Sequence, residues 1–381
     1  MKVTRSSKNS CSINSCNANG SSACICNDCR HNINNVSISP FEAKRQKGVA
    51  LVVVLLIVAL VAILATQMVG RLQLNVVRAQ NIKDNNQAYW YALGAEEFAR
   101  KSIRSLIELS PDSINLSQPW AQEFEYPVPD GSITARLYDM QSCFNLNAIN
   151  SVFDPNSNQT QGASQATTPR PTPANSRLPS QQAFHNLLAF VIPDSFTVDT
   201  LTDSLIDWID EDDNPSNFGA EDADYESLSN PYLAANNPMS SKSELRLLNG
   251  IQEAVNEQWV TQLQPLVCVL PEENLRLNVN TVTVEQAQVL AALLGDTLDN
   301  AQNIISDRPE TGFDSLADFT SLPAVAALNL SASELDWFAI DTKYFKLVTT
   351  GRFNGAQFTL SSLMQIEEDA VTVVRREFGE F

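Results

Sequence analysis

The chain has 381 residues, room for two or three domains of ordinary size, and carries 44 acidic against 25 basic residues for a formal charge of −19. Such an acidic balance excludes a nucleic-acid binder whose affinity would rest on cations neutralising phosphates, and it suits a soluble surface or a cation site. The distribution is uneven: the first 48 residues hold seven Lys or Arg and two acids, and five of the seven cysteines (Cys11, Cys16, Cys24, Cys26, Cys29), leaving Cys143 and Cys268 as the one possible pair in the body.

Every residue from Val49 to Ala65 is apolar, and the continuation to Gly70 makes about 22 residues, or ~33 Å of helix, enough to span a bilayer. Lys44, Arg45 and Lys47 stand directly before it, so the positive-inside rule places the N-terminus in the cytoplasm and the body on the other side. A secretory signal peptide would have a shorter apolar core followed by a small-residue cleavage site. The leader 1–48 is rich in Ser, Asn and Cys, lacks a packed-core pattern and is expected to be disordered. Cys24-x-Cys26-x-x-Cys29 with His31 could be read as a zinc cluster, but one that a processed protein would lose.

The string Lys44-Arg45-Gln46-Lys47-Gly48 followed by Val49-Ala50-Leu51 resembles the type IV prepilin junction. The resemblance implies cleavage after Gly48 by the prepilin peptidase and methylation of the new terminal residue, Val49. It also implies a Glu at the fifth mature position, where this chain has Val53. A membrane-buried Glu needs a partner, in pilin-like fibres the free amine of a neighbouring subunit, so a subunit with nothing above it can do without one. That departure, together with Gln87-Ala88-Tyr89-Trp90-Tyr91-Ala92-Leu93-Gly94, resembles the protein K family of type II secretion minor pseudopilins.

Ala88, Ala92, Ala95, Ala99, Ile103 and Leu106 lie on one helical face, predicting a stem helix over 71–110 that ends at Ser110-Pro111 and covers a sheet. Alternation predicts strands at Ser132–Met140, Tyr344–Arg352 and Gln357–Met364, the last two joined by an Asn354-Gly355 turn. About 200 residues separate the first strand from the others, so something large is inserted. The expected class is α+β: a pilin-like transmembrane and stem helix packed on an antiparallel sheet (111–143 and 338–381), interrupted by two helical modules (144–268 and 269–337).

Phe144-Asn145-Leu146-Asn147 and Leu277-Asn278-Val279-Asn280 are two copies of one apolar-Asn motif, each opening a helical stretch. Helices are predicted at Thr283–Leu294, Thr297–Asp307 and Ser315–Thr320, resembling a SAM-like or helix-hairpin-helix unit. Such units often bind DNA. Here, however, the hairpin Leu294-Gly295-Asp296-Thr297-Leu298-Asp299 lacks a Gly-rich anion nest and puts two acids where phosphate would approach. Residues 154–182 turn to Asn, Ser, Gln, Thr and Pro and are expected to be a disordered loop. Cys143 and Cys268 flank the first module; an oxidising compartment would permit a disulfide closing about 125 residues, worth ~5 kcal/mol in the entropic account, the alternative being two separately buried thiols.

Nine acids and no base fall between Asp207 and Glu226, and their repulsion asks for a cation. Hard oxygen ligands on a loop with Asn214, Asn217 and Gly219 suit Ca²⁺, while Pro215 at the sixth position of an Asp210-based EF-hand register, where that loop needs Gly, rules an EF-hand out. A solvated acidic loop is the plainer reading. Asp213-Asn214-Pro215 through Gly219-Ala220-Glu221-Asp222, with Tyr225, resembles the calcium loop of the protein K family. That resemblance implies Asp213, Glu221 and Asp222 as ligands, with Asp210, Asn217 and Asp224 less central. No Gly-x-Ser-x-Gly, phosphate-loop Lys or His-Glu-x-x-His occurs, and His185 lies in an apolar segment, so no enzyme is expected.

By resemblance the chain would be a single-pass inner-membrane subunit with a periplasmic body, capping or initiating the short pseudopilus and supporting export of folded proteins. Its partners would be minor pseudopilins I and J, also H, the major pseudopilin G, the prepilin peptidase and the secreted substrates, and no nucleic acid. The rivals are a minor pilin of a type IV pilus and, from a different class, a membrane-tethered helix-hairpin-helix DNA receptor.

Overall fold

The computed structural model describes residues 48–151, 177–251, 258–367 and 370–379. The leader with its Cys24–Cys29 cluster, the basic residues of the junction and most of the 154–182 loop lie outside the described residues.

Residues Val49–Leu109 form one helix, α1, long and apolar enough to cross a membrane, and the contacts divide the chain after Gly70. Up to Gly70 the apolar side chains are exposed, as suits lipid rather than a protein core. From Arg71 onward the helix turns amphipathic. All six residues of the anticipated stripe are buried, together with one that apolar periodicity does not announce, Glu96.

The stripe lies on a five-stranded antiparallel sheet in the order β1-β2-β7-β8-β9. Its strands are Phe124–Val128 (β1), Gly131–Asp139 (β2), Tyr344–Phe353 (β7), Ala356–Glu367 (β8) and Ala370–Phe378 (β9). Strands β7 and β8 turn at Asn354 and Gly355 with φ of 48° and 85°, the two left-handed residues that a tight hairpin takes. Both edge strands escaped sequence pattern. β1 is almost wholly exposed and carries Pro127, which an edge tolerates because the missing N–H faces no neighbour; β9 puts Arg375 and Arg376 into its ladder. At Gly351 a Cβ would stand 2.1 Å from the carbonyl oxygen of Ala88, so helix and strand backbones touch. The small residues of the stripe serve this close approach. Ile103, Phe345, Leu347 and Met364 fill the space beyond it.

Residues 140–343 form the insertion. Its elements are β3 (Phe144–Asn145), α2 (Pro179–Val191), α3 (Ser195–Ile209), α4 (Asp222–Glu226), α5 (Gln258–Leu263), β4 (Val267–Cys268), β5 (Leu277–Asn278), α6 (Ala287–Leu294), α7 (Leu298–Asp307), three short helical turns and β6 (Phe338–Ala339). One large apolar core, with Phe144, Phe184, Leu290 and Phe319 deep inside, unites it. Helices α6 and α7 meet around Gly295, which is left-handed at φ 63°.

Residues 179–182, expected to belong to a disordered loop, instead open helix α2. Pro179 occupies the first helical position, Gln181 caps the start of α2, and the Ser180 hydroxyl donates to the Ile149 carbonyl at 2.7 Å. The composition of 179–182 reads as loop, but Pro-Ser-Gln is also how a helix begins.

The repeated Asn motif explains how the insertion is rooted. Each copy makes a short parallel bridge, Phe144–Asn145 with Val267–Cys268 and Leu277–Asn278 with Phe338–Ala339. In each copy the second Asn clamps both backbone polar groups of one distant residue. Asn147 donates to the Met239 carbonyl at 3.0 Å and accepts from its N–H at 2.7 Å. Asn280 does the same to Phe313, again at 3.0 and 2.7 Å. All four groups are buried and paired, as a polar core must be.

Candidate functional site

The acidic loop grows from the C-terminal half of α3. Asp194 caps the start of that helix, accepting from the Thr197 N–H at 2.9 Å. Asp203 and Asp207, one turn apart on the buried face, hold the loop that follows. Asp207 accepts from the Ser216 N–H at 3.1 and 3.0 Å, and Asp203 from the Phe218 N–H at 3.2 Å and from Arg177 at 2.9 Å. Gly219 permits this, since a Cβ there would stand 1.8 Å from the Asp207 carboxylate. Burial pushes the Asp207 carboxyl above its usual range.

The carboxylates that could face a cation are those left without partners. Both oxygens of Glu221 and Oδ1 of Asp210 are buried and accept no hydrogen bond, as is Oδ1 of Asn236. Burial first, and then the charges of Asp207, Asp210, Asp213 and Asp222, raise the Glu221 carboxyl to about 7. Burial, with Asp207 and Asp212 beside it, raises Asp210 to about 6. Asn236, left-handed at φ 43°, donates to Asp213 at 3.0 Å and so joins the loop across 23 residues.

Two other predicted ligands each have one oxygen engaged by a backbone N–H. Asp222 accepts from the Ala234 N–H at 2.9 Å, and Asp224 reaches back to the Glu221 N–H at 3.2 Å, both serving the local backbone. Asp213 and Asn217 are exposed on the same loop. Among the described residues no three His, Cys, Asp or Glu side chains converge into a metal centre. The unpaired buried oxygens of Glu221, Asp210 and Asn236 nevertheless carry more weight, because a buried carboxylate with no donor is costly and hard oxygen donors are what Ca²⁺ takes. Oxygens of this kind suit a calcium ion, and Asn236 joins Glu221 and Asp210 among them, whereas Asp222 and Asp224 each give one oxygen to a backbone N–H.

Beneath the loop, Tyr225 stacks on Tyr232 at 5.2 Å and meets Trp208 edge-on at 5.4 Å. The loop is thereby packed onto the insertion's core. Apolar-periodicity reasoning missed Asn236; its only sequence signal is an Asn-Asn-Pro stretch of turn type. Elsewhere, the sulfurs of Cys143 and Cys268 lie at bonding distance with Cα atoms 5.8 Å apart, on the sheet face opposite α1.

Among the described residues one helix is long and apolar enough to cross a membrane, its later part covers an antiparallel sheet, and the chain leaves and rejoins that sheet between neighbouring strands; these features define a pilin-type subunit with an elaborated head. Two family profiles described as type II secretion system (T2SS), protein K, match residues 142–272 and 277–341. The type II secretion system protein K of Klebsiella pneumoniae is 37% identical over 338 residues, covering 88% of this chain and 97% of the relative. That of Aeromonas hydrophila is 39% identical over 276 residues, covering 71% and 78%. A chain of the crystal structure of the GspK-GspI-GspJ complex from the enterotoxigenic Escherichia coli type 2 secretion system superposes with a TM-score of 0.67 at 27% identity, covering 80% of this chain and 100% of that one. The chain belongs to the type II secretion system protein K family and is a minor pseudopilin.

Proposed function

We propose that this minor pseudopilin caps or initiates the pseudopilus at its tip, anchored in the inner membrane with its N-terminus cytoplasmic and its body periplasmic, after cleavage between Gly48 and Val49 and methylation of Val49. The observation that carries the tip placement is the insertion: residues 140–343 interrupt the sheet of a pilin-type body, and a head of that size would obstruct a subunit stacked above it. Val53 agrees, since a subunit with no neighbour above has no amine for a membrane-buried Glu to meet. The solved relative is assembled with GspI and GspJ, which supports the corresponding minor pseudopilins I and J as partners here. Pseudopilins H and G, the prepilin peptidase and the exported proteins complete the expected set.

Calcium on the Asp210, Asp213, Glu221 and Asn236 oxygens would neutralise the loop and set its shape for assembly. A Cys143–Cys268 disulfide would fasten the insertion to its root in the oxidising periplasm. The test of placement is assembly itself. Val53→Glu should disturb secretion and leave the subunit confined to fibre ends, whereas incorporation along the whole fibre with secretion intact would remove the rationale. Intact-mass analysis of the purified protein without reductant checks the remaining points: a methylated Val49 terminus and a disulfide are expected, and any other terminus contradicts the processing.

A further inference from the structure

In a chain of net charge −19, four cations line one cleft. Lys242 and Arg246 come from the turn at 242–247, Lys346 from β7 and Arg375 from β9; Glu377 is the sole acid among the described residues that line it. The strand register explains the convergence. Leu363 of β8 is paired with Lys346 on one side and Arg375 on the other, so both cations stand on the sheet face that looks away from α1. Lys242 donates to the Gln264 carbonyl at 3.0 Å, and Arg375 pairs with Glu377 at 3.0 Å and donates to the Ser240 carbonyl. Among the described residues that line the cleft, four cations thus stand against one acid, and that acid is paired with Arg375. Burial, and then the neighbouring Lys346, lower the Lys242 ammonium; burial likewise lowers Lys346. An anion beside Lys242 would offset its repulsion by Lys346.

The cleft measures about 670 Å³, many times the ~30 Å³ of a single water, and so exceeds the needs of one small oxyanion. Its floor is apolar, with Leu245, Leu263, Val269 and Leu363, and Ser243 and Ser361 add hydroxyls near the cations. Beside it runs β9, an edge strand that among the described residues pairs only with β8. An extended segment laid along such an edge finds backbone partners and turns alternate side chains onto the adjoining face. We propose that this cleft is a docking site for an acidic, partly apolar extended segment of another polypeptide, its carboxylates meeting Lys242, Arg246, Lys346 and Arg375 and its apolar side chains the floor. The site is separate from the acidic loop, and its test does not depend on calcium.

The probe is a fluorescein-labelled peptide alternating Glu and Leu, with a Lys and Leu counterpart, titrated with the full chain in detergent micelles in the presence of EGTA. Saturable, salt-sensitive binding of the acidic peptide alone is expected. It should weaken on the order of tenfold in Lys242→Gln/Lys346→Gln and in the exposed variant Arg246→Glu, and stay unchanged in Lys343→Gln, outside the cleft. Circular dichroism verifies that each variant is folded, and Arg246, being exposed, gives a reading even where the double variant is not. Equal binding of the basic peptide, unaltered binding by both cleft variants, or uptake of inorganic phosphate without uptake of the acidic peptide would each overturn the proposal.

Discussion

Glu96, fully buried on the face of α1 that meets the sheet, receives two hydrogen bonds from the Arg376 guanidinium of β9, at 2.7 and 2.9 Å, and another from the Ser362 hydroxyl. Burial alone would raise this carboxyl; Arg376 and Ser362 outweigh it and hold it below the usual range of a glutamate. Removing the cation strands a buried charge. Arg376→Ala is therefore expected to cost about 2–3 kcal/mol, at the low end for such a pair because water reaches the guanidinium. The folded-state value is depressed, so the pair's contribution is present above the unfolded value and lost as pH falls through the depressed folded one. In Arg376→Ala the slope should reverse, burial acting without its counterweight, and stability should rise as pH falls. Denaturant unfolding of the full chain in detergent at pH 4 and pH 7 checks both signs.

Gly351→Ala should separate stem helix and sheet. The new methyl carbon would stand 2.1 Å from the Ala88 carbonyl oxygen, backbone that cannot swing aside, so α1 must shift. Overpacking of this kind costs about 1–3 kcal/mol, and more rapid amide exchange across Ala88–Ala99 would locate the damage. An unchanged melting temperature would mean that helix and strand are farther apart than described.

Asn147→Ala and Asn280→Ala should behave alike. Each variant orphans the N–H and carbonyl of one buried partner residue, Met239 or Phe313, and Asn147→Ala also takes a donor from the Leu270 carbonyl, at a cost of about 2–4 kcal/mol. Thermal unfolding should show similar losses, and limited proteolysis should cut near the orphaned residue in each case. A large effect at one site and none at the other would deny the two copies a common role.

Removing calcium should loosen the acidic loop. With free calcium a hundredfold above its dissociation constant, linkage predicts about 2.7 kcal/mol of added stability, which EGTA should abolish. Glu221→Gln should lower this response far more than Asp224→Asn, because Asp224 already serves the backbone N–H of Glu221. Equal melting temperatures with calcium and with EGTA would leave the loop merely solvated.

Much of the frame was legible from periodicity. The Ala88–Leu106 stripe, strands β2, β7 and β8 and the helices at 287–307 announce themselves because their apolar spacing is local. Glu96 was not legible: a carboxylate within an apolar stripe reads as its polar margin until a cation 280 residues away is placed against it. The same holds at the acidic loop. Counting acids finds Glu221 and Asp210, but which carboxylates are free depends on the donors that folding brings to them. Asp222 and Asp224 each turn one oxygen to a backbone N–H, while Asn236, in a turn-like stretch that charge does not mark, comes to share the loop.

Asp139 and Phe345 are register partners on neighbouring strands, so the chain departs from the host sheet and comes home through a single doorway. Threading the gap would take only a brief turn. The obstacle to excising the whole excursion is chemical rather than geometric, for the buried Asp139 carboxylate takes its donors from Gln141, Asn278, Thr281 and Thr342, every one inside the excised stretch. A minimal, headless subunit would have to replace that acid with an apolar residue at the threshold before its sheet could close.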